Sequence, residues 1–182
     1  TDQTIDYNTA TALKANTFER TGYTFLGWAT SASGTQVYDD EEEVTLTKKV
    51  TTLYAVWEKN SWKVWFTTPS GATSVTANGE TTSPLSIEFG ETVTIVITPD
   101  AEHVIGTVTA TGGASLSGED GTRTFTMPDA DVAISITMAD KPTYTINFIN
   151  MGETISSQQV MEGQAAEKPA NPTACEGYSF VG

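Results

Sequence analysis

The chain has 182 residues, of which 38% are hydrophobic and 18% charged, with a formal net charge of -14. Such an acidic surface repels nucleic acid and anionic membrane surfaces, since either partner needs a basic patch. Its single cysteine, Cys175, excludes an internal disulfide, and without a run of 18 or more apolar residues no helical span or membrane insertion is expected.

In chain order the pattern is β. Only "NTATALKANTF" (8–18) has the composition of a short helix, and Asn8, Thr9 and Thr11 weaken it. "GYTFLGW" (22–28) places Tyr23 and Phe25 on one face of a strand; Leu26 and Trp28 fall on the other unless Gly27 marks a bulge. Gly22 suits a positive φ at the strand entry. "DDEEE" (39–43) is a solvated acidic loop without the ligand spacing or glycine of a calcium loop. "LYAVW" (53–57) is apolar on both faces, which predicts a strand central in its sheet and buries Tyr54 and Trp57.

Past the connection "EKNS" (58–61), "WKVWF" (62–66) sets Trp62, Val64 and Phe66 on one face and Trp65 with Lys63 on the other. "ETVTIVIT" (91–98), "DVAISIT" (131–137) and "YTINFIN" (144–150) alternate with period two, as half-buried strands do. The turns between them are "ANGE" (77–80), "GEDG" (118–121) and "MPDAD" (127–131), where Asp favours turn geometry. "ADKP" (139–142) is a second short connection, stiffened by Pro142.

Laying residues 1–27 over 156–182 without a gap matches Gln3, Ala10, Ala15, Asn16, Gly22, Tyr23, Phe25 and Gly27 to identical residues, the last four to Gly177, Tyr178, Phe180 and Gly182. The offset sets a repeat of about 72 residues. The chain reads as a slice through an array, with partial units at 1–59 and 141–182 and a separate unit at 60–140. A small unit has little interior, so Trp28, Trp57 and the other aromatics must supply most of its buried area. "YTINFIN" is the strand for which the first unit shows no counterpart. It is expected to complete a sheet containing 51–57, in the same chain or a neighbour, a strand-exchange contact through 143–150.

"ERTGYTFLGW" (19–28) with "TLYAVW" (52–57), and "YTINFIN" with "EGQAAEKP" (162–169) and "EGYSFVG" (176–182), resemble the two halves of the Listeria–Bacteroides repeat, also called the internalin B-repeat. "FGETVTIVITPDAEHVIGTVTATGG" (89–113) with "TFTMPDADVAISITM" (124–138) resembles its divergent form. The resemblance implies a mainly β fold of tandem small β-grasp-like modules with little helix. It implies a secreted or surface-attached bacterial protein, with no catalytic residue, cofactor or metal.

Candidate chemistry is sparse. His103, the single histidine, has no nucleophile-elbow or zinc-ligand spacing around it and reads as a structural or surface residue. Cys175 reads as an incidental thiol. Trp65 is the candidate ligand platform, weighed against packing on a neighbouring unit. The leading expectation is a non-catalytic stalk or spacer whose partners are neighbouring repeat modules. The alternative is a module that binds a glycan or a host or matrix protein through exposed aromatics such as Trp65.

Overall fold

The computed structural model describes residues 2–48, 51–173, 176, 177 and 179. Cys175, Tyr178, Phe180 and Gly182 lie outside the described residues, so the expectations placed on them do too. Among the described residues there are thirteen strands and no helix. Residues 8–18 contribute strand β1 (Ala10–Ala12) where a short helix was conceivable, because β1 finds an antiparallel partner in β3 (Glu43–Thr45). Thr11 then opposes Val44, and pairing outweighs the weak local helix tendency of a threonine-rich stretch.

The second sheet of the N-terminal region joins β2 (Tyr23–Ala29) to β4 (Tyr54–Lys59), again antiparallel. Its register shifts between Phe25, opposite Trp57, and Gly27, opposite Val56. Leu26 is therefore the extra residue of a bulge, and it is exposed. The bulge returns Trp28 to the side of Phe25 and Trp57: the Phe25 ring lies 5.1 Å from Trp28 and 5.4 Å from Trp57, both edge-on. Gly27 is required here, since a Cβ at that position would sit 2.4 Å from the Tyr38 carbonyl oxygen. The expected central placement of 53–57 is corrected by this pairing. Among the described residues β4 is bonded to β2 alone, and Tyr54 is exposed. Two-sided apolarity in "LYAVW" reflects ring packing on one face, not strands on both edges.

The middle of the chain has a different interior. Strands β5 (Ser61–Trp65), β7 (Leu85–Glu88), β9 (His103–Ala110) and β11 (Val132–Asp140) form one sheet in the order β7-β5-β11-β9. Strands β6 (Ala72–Ala77), β8 (Thr92–Pro99) and β10 (Thr122–Thr126) form another in the order β10-β8-β6. All pairings are antiparallel except β5 with β11. Alternation decides the inside: Val93, Ile95 and Ile97 of β8 are buried while Thr92, Val96 and Thr98 are exposed. They meet Val64, Phe66, Val75, Phe125, Met127, Val132 and Ile134 in one cluster. Each such large side chain removed from water stabilises by roughly 1.5–3 kcal/mol. The mainly β expectation holds. The β-grasp detail is not established by this arrangement, in which the middle core lies between two sheets.

Strands β12 (Thr143–Asn150) and β13 (Glu153–Met161) pair as a hairpin, the last strands among the described residues. Within the chain β12 pairs with β13 and β4 with β2; among the described residues the expected pairing of 143–150 with 51–57 does not occur in this chain. The hairpin leaves Tyr144, Ile146, Ile149 and Ile155 exposed.

The repeat found by overlay has a structural signature. Gln3 donates through Nε2 to the Ala12 carbonyl (2.7 Å) and accepts the Lys14 N–H at Oε1 (2.8 Å). Its counterpart Gln158 donates to the Glu167 carbonyl (2.8 Å) and accepts the Glu167 N–H (2.9 Å). Ala12 and Glu167 are equivalent positions. The second bond moves because the counterpart of Lys14 is Pro169, which has no N–H to give.

Candidate functional site

The most constructed polar site lies where the N-terminal sheets meet the middle core. One residue, Asn60, separates β4 from β5, so the chain passes between them without slack. Around it, backbone bonds link three segments: Asn60 N–H donates to the Gly22 carbonyl (2.9 Å), and Phe89 N–H donates to the Asn60 carbonyl (2.8 Å). Asp129, from the turn between β10 and β11, accepts the Gly22 N–H at Oδ2 (3.0 Å). Its Oδ1 accepts the Asn60 side-chain amide (3.1 Å) and the Trp62 indole N–H (2.9 Å). The Asn60 amide chiefly, with the Gly22 N–H and the Trp62 indole, holds the Asp129 carboxyl below the usual carboxylate range, against an opposing contribution from desolvation.

Apolar and charged contacts frame this node. The Tyr23 ring stands edge-on to Phe89 at 6.4 Å, and the Arg20 guanidinium carbon lies 3.7 Å from the centre of the same Tyr23 ring. Lys59 reaches Glu91 (2.7 Å) and Glu88 (3.5 Å), and its hydrogen bond to Glu91 raises its pKa. Thr24 donates to the Asn60 side-chain oxygen (2.7 Å). A shallow groove of about 440 Å³ runs along the joint, lined by Phe18, Arg20, Tyr23, Phe25, Trp57 and Asp129 among others.

The sequence profile of the Listeria-Bacteroides repeat domain matches residues 1–56 and 144–182. That of the divergent InlB B-repeat domain matches residues 68–142. The chain belongs to the Listeria-Bacteroides repeat family. Two proteins of Evansella cellulosilytica are similar to it. One, named "Putative membrane protein", is 28% identical over 90% of this chain and 23% of its own length. The other, named "Putative Gly-rich membrane protein", is 26% identical over 92% of this chain and 18% of its own length. The chain thus spans about a fifth of the length of the curated relatives it matches. No solved structure matches it. Among the described residues no helix is long and apolar enough to cross a membrane.

Within this repeat array the residues singled out by sequence fall in three places. Gly22 and Tyr23 sit at the joint; Phe25, Trp28 and Trp57 form the ring cluster beneath it, joined by Phe18, whose ring is 6.2 Å from Trp28. The Trp28 indole nitrogen is buried without a hydrogen-bond partner. Tyr54 lies at the far end of β4, and Gly177 has a positive φ of 82°. Trp65 is on the middle repeat, 49% exposed, while Val64 and Phe66 beside it are buried. It is not brought together with the aromatics of the joint groove.

Three further polar features belong to single segments or to the second connection. In the acidic loop, Glu42 accepts the Asp39 N–H (2.6 Å) within the loop, and Asp40 accepts the Asn16 N–H (2.9 Å) and ties the loop to the segment before β2. Among the described residues no group of three His, Cys, Asp or Glu is placed to hold a metal ion. His103 has Nδ1 2.6 Å from Asp100 and Nε2 3.4 Å from Asp140. Its hydrogen bond to Asp100, with the charges of Asp100, Asp140 and Glu102, raises its pKa. Asp140 immediately precedes the second connection, where Lys141 N–H donates to the Glu102 carbonyl (2.8 Å) and Lys141 Nζ to the Ala101 carbonyl (2.9 Å).

Asp129 was missed as anything beyond a turn former. The signal available in the sequence was its turn's position: "MPDAD" leads into a strand that alternates like one packed beside "WKVWF". What that turn would touch depends on the pairing of β5 with β11, which no local pattern encodes.

Proposed function

We propose that this segment is a non-catalytic stalk or spacer in a bacterial surface or secreted protein, and that it holds successive repeats at set positions. The observation carrying this reading is the shortness of the connections. Only Asn60 lies between β4 and β5, and only Lys141 and Pro142 lie between β11 and β12. Each connection is also bonded to the middle repeat through its backbone. A chain built this way transmits position from one unit to the next, unlike flexible linkers whose ends wander with the square root of length. Families of this type are structural repeats, and the similar proteins are named as membrane proteins, which fits an extracellular array on a cell surface. Small-angle scattering of the chain tests it: the expected profile fits one arrangement of units, and a freely jointed ensemble would sink the spacer reading.

A second reading is supported by Trp65. A half-exposed indole on a strand face, beside hydroxyl-bearing strands, is suited to stacking on a sugar ring or a protein side chain. Binding on a glycan array that disappears in Trp65→Ala would favour it, and an array without binding would leave the spacer reading alone.

A further inference from the structure

The joint at Asn60 is more selective than a spacer needs to be. The turn at 127–131 carries two aspartates with different tasks. Asp131 accepts the Lys63 N–H (2.7 Å) and so serves the middle repeat alone. Asp129 turns outward and gathers donors from three places: the preceding repeat (Gly22), the connection (Asn60) and the middle repeat (Trp62). A carboxylate needed only to shape its own turn would bond within that turn.

The group captured from the preceding repeat is equally particular. Gly22 has φ +76°, and a Cβ there would lie 2.0–2.4 Å from the Phe89 ring. Its repeat counterpart, Gly177, has nearly the same φ, +82°, yet among the described residues a Cβ there would meet nothing within 4 Å. The positive φ therefore belongs to the turn itself, and at Gly22 that turn also lies against the Phe89 ring.

We propose that Phe89 and the turn at 127–131 form a docking socket on the divergent repeat, whose partner is the glycine–tyrosine turn of the standard repeat before it, with Asp129 as the positioning residue. The socket requires glycine at position 22, because only a bare backbone can bring its N–H to Asp129 while lying against the Phe89 ring. It requires a carboxylate at position 129, because three N–H donors converge there. An asparagine offers one oxygen and turns an NH₂ toward donors. The order of units is thus read by shape and acceptor count at the joint. This proposal rests on the spacer reading and sharpens it.

The test measures the joint directly. In the full chain with Cys175→Ser, spin labels are placed on Ala32→Cys and Glu119→Cys, both at exposed positions, and the distance distribution is recorded by pulsed electron resonance. The unmodified joint is expected to give one narrow distance. Asp129→Asn and Gly22→Ala are each expected to at least double its width, while Gly177→Ala leaves it unchanged. Unchanged widths in both Asp129→Asn and Gly22→Ala would overturn the socket. Loss of the β circular-dichroism signal in both variants would assign these residues to folding and overturn it as well. If only one of the two variants unfolds, the other decides. A broad distribution in the unmodified chain would instead refute the fixed-joint reading, so the two failures are distinguishable.

Discussion

His103 lies between two carboxylates, and a neutral imidazole has only one N–H to offer them. The protonated ring satisfies Asp100 at Nδ1 and faces Asp140 at Nε2, with the charge of Glu102 also acting on it. Its pKa is raised in the folded chain by Asp100 first, and that of Asp100 is lowered by His103 in return. A raised histidine pKa contributes stability that is fully present below the unfolded value of about 6.5 and is lost as pH rises through the folded pKa. The His103 ring signals in a proton NMR titration are expected to show a midpoint above about 6.5, falling toward it in Asp100→Asn. The sequence pointed to a structural or surface role for His103. It did not name its partners, because Asp140 reaches it only through the register of β9 with β11.

Strands β5, β8 and β11 of the middle repeat were legible in "WKVWF", "ETVTIVIT" and "DVAISIT" because alternate residues of each enter the buried cluster, whereas β7 and β9 have no fully buried residue to mark them. Ile95 is fully buried, and Ile95→Ala is expected to cost about 2–5 kcal/mol in chemical denaturation. Trp65→Ala, on the wet face of β5, is expected to change stability by less than about 0.5 kcal/mol, which separates a ligand platform from a core residue. The elements of the N-terminal region were less legible. Among the described residues its buried apolar side chains are Leu13, Ala29 and Val44, so alternation there is a weak guide. Its strength lies in the ring cluster, and the bulge at Leu26 that assembles the cluster is visible in sequence only as a glycine before a tryptophan. Trp57→Ala should cost about 2–3 kcal/mol, less than truncating a fully buried ring, because Trp57 is half-buried. A loss below about 1 kcal/mol in the same denaturation experiment would show that the rings do not hold the region together.

At the scale of the whole molecule, sequence showed the repeat more readily than the contacts between units. A gapless overlay needs only residue identity, and the paired Gln3 and Gln158 clamps give that overlay a physical cause. Contacts between units depend on how sheets sit across a joint, which the overlay cannot see. The joint's response to acid follows from Asp129. Its pKa is lowered in the folded chain, so its contribution is present above the unfolded carboxylate value and is lost as pH falls through the folded one. The narrow label distance across the joint is therefore expected to persist at neutral pH and to broaden only below the ordinary aspartate range of about 4. Broadening between pH 7 and 6 would point to another group. Added salt should matter little to the Asp129 node, whose donors are neutral, and more to the exposed Lys59 pair with Glu88 and Glu91.

A connection of a single residue also has a parity. Side chains alternate along a strand, so one extra residue beside Asn60 would turn Val64 outward and Trp65 inward, or else twist the whole following unit by half a turn. Insertions at such a place cannot be absorbed as they are in loops. An array joined this way accommodates duplication or deletion of a standard repeat together with the divergent repeat that follows it, since the joint between the two travels with them, and resists drift in the length of what lies between them.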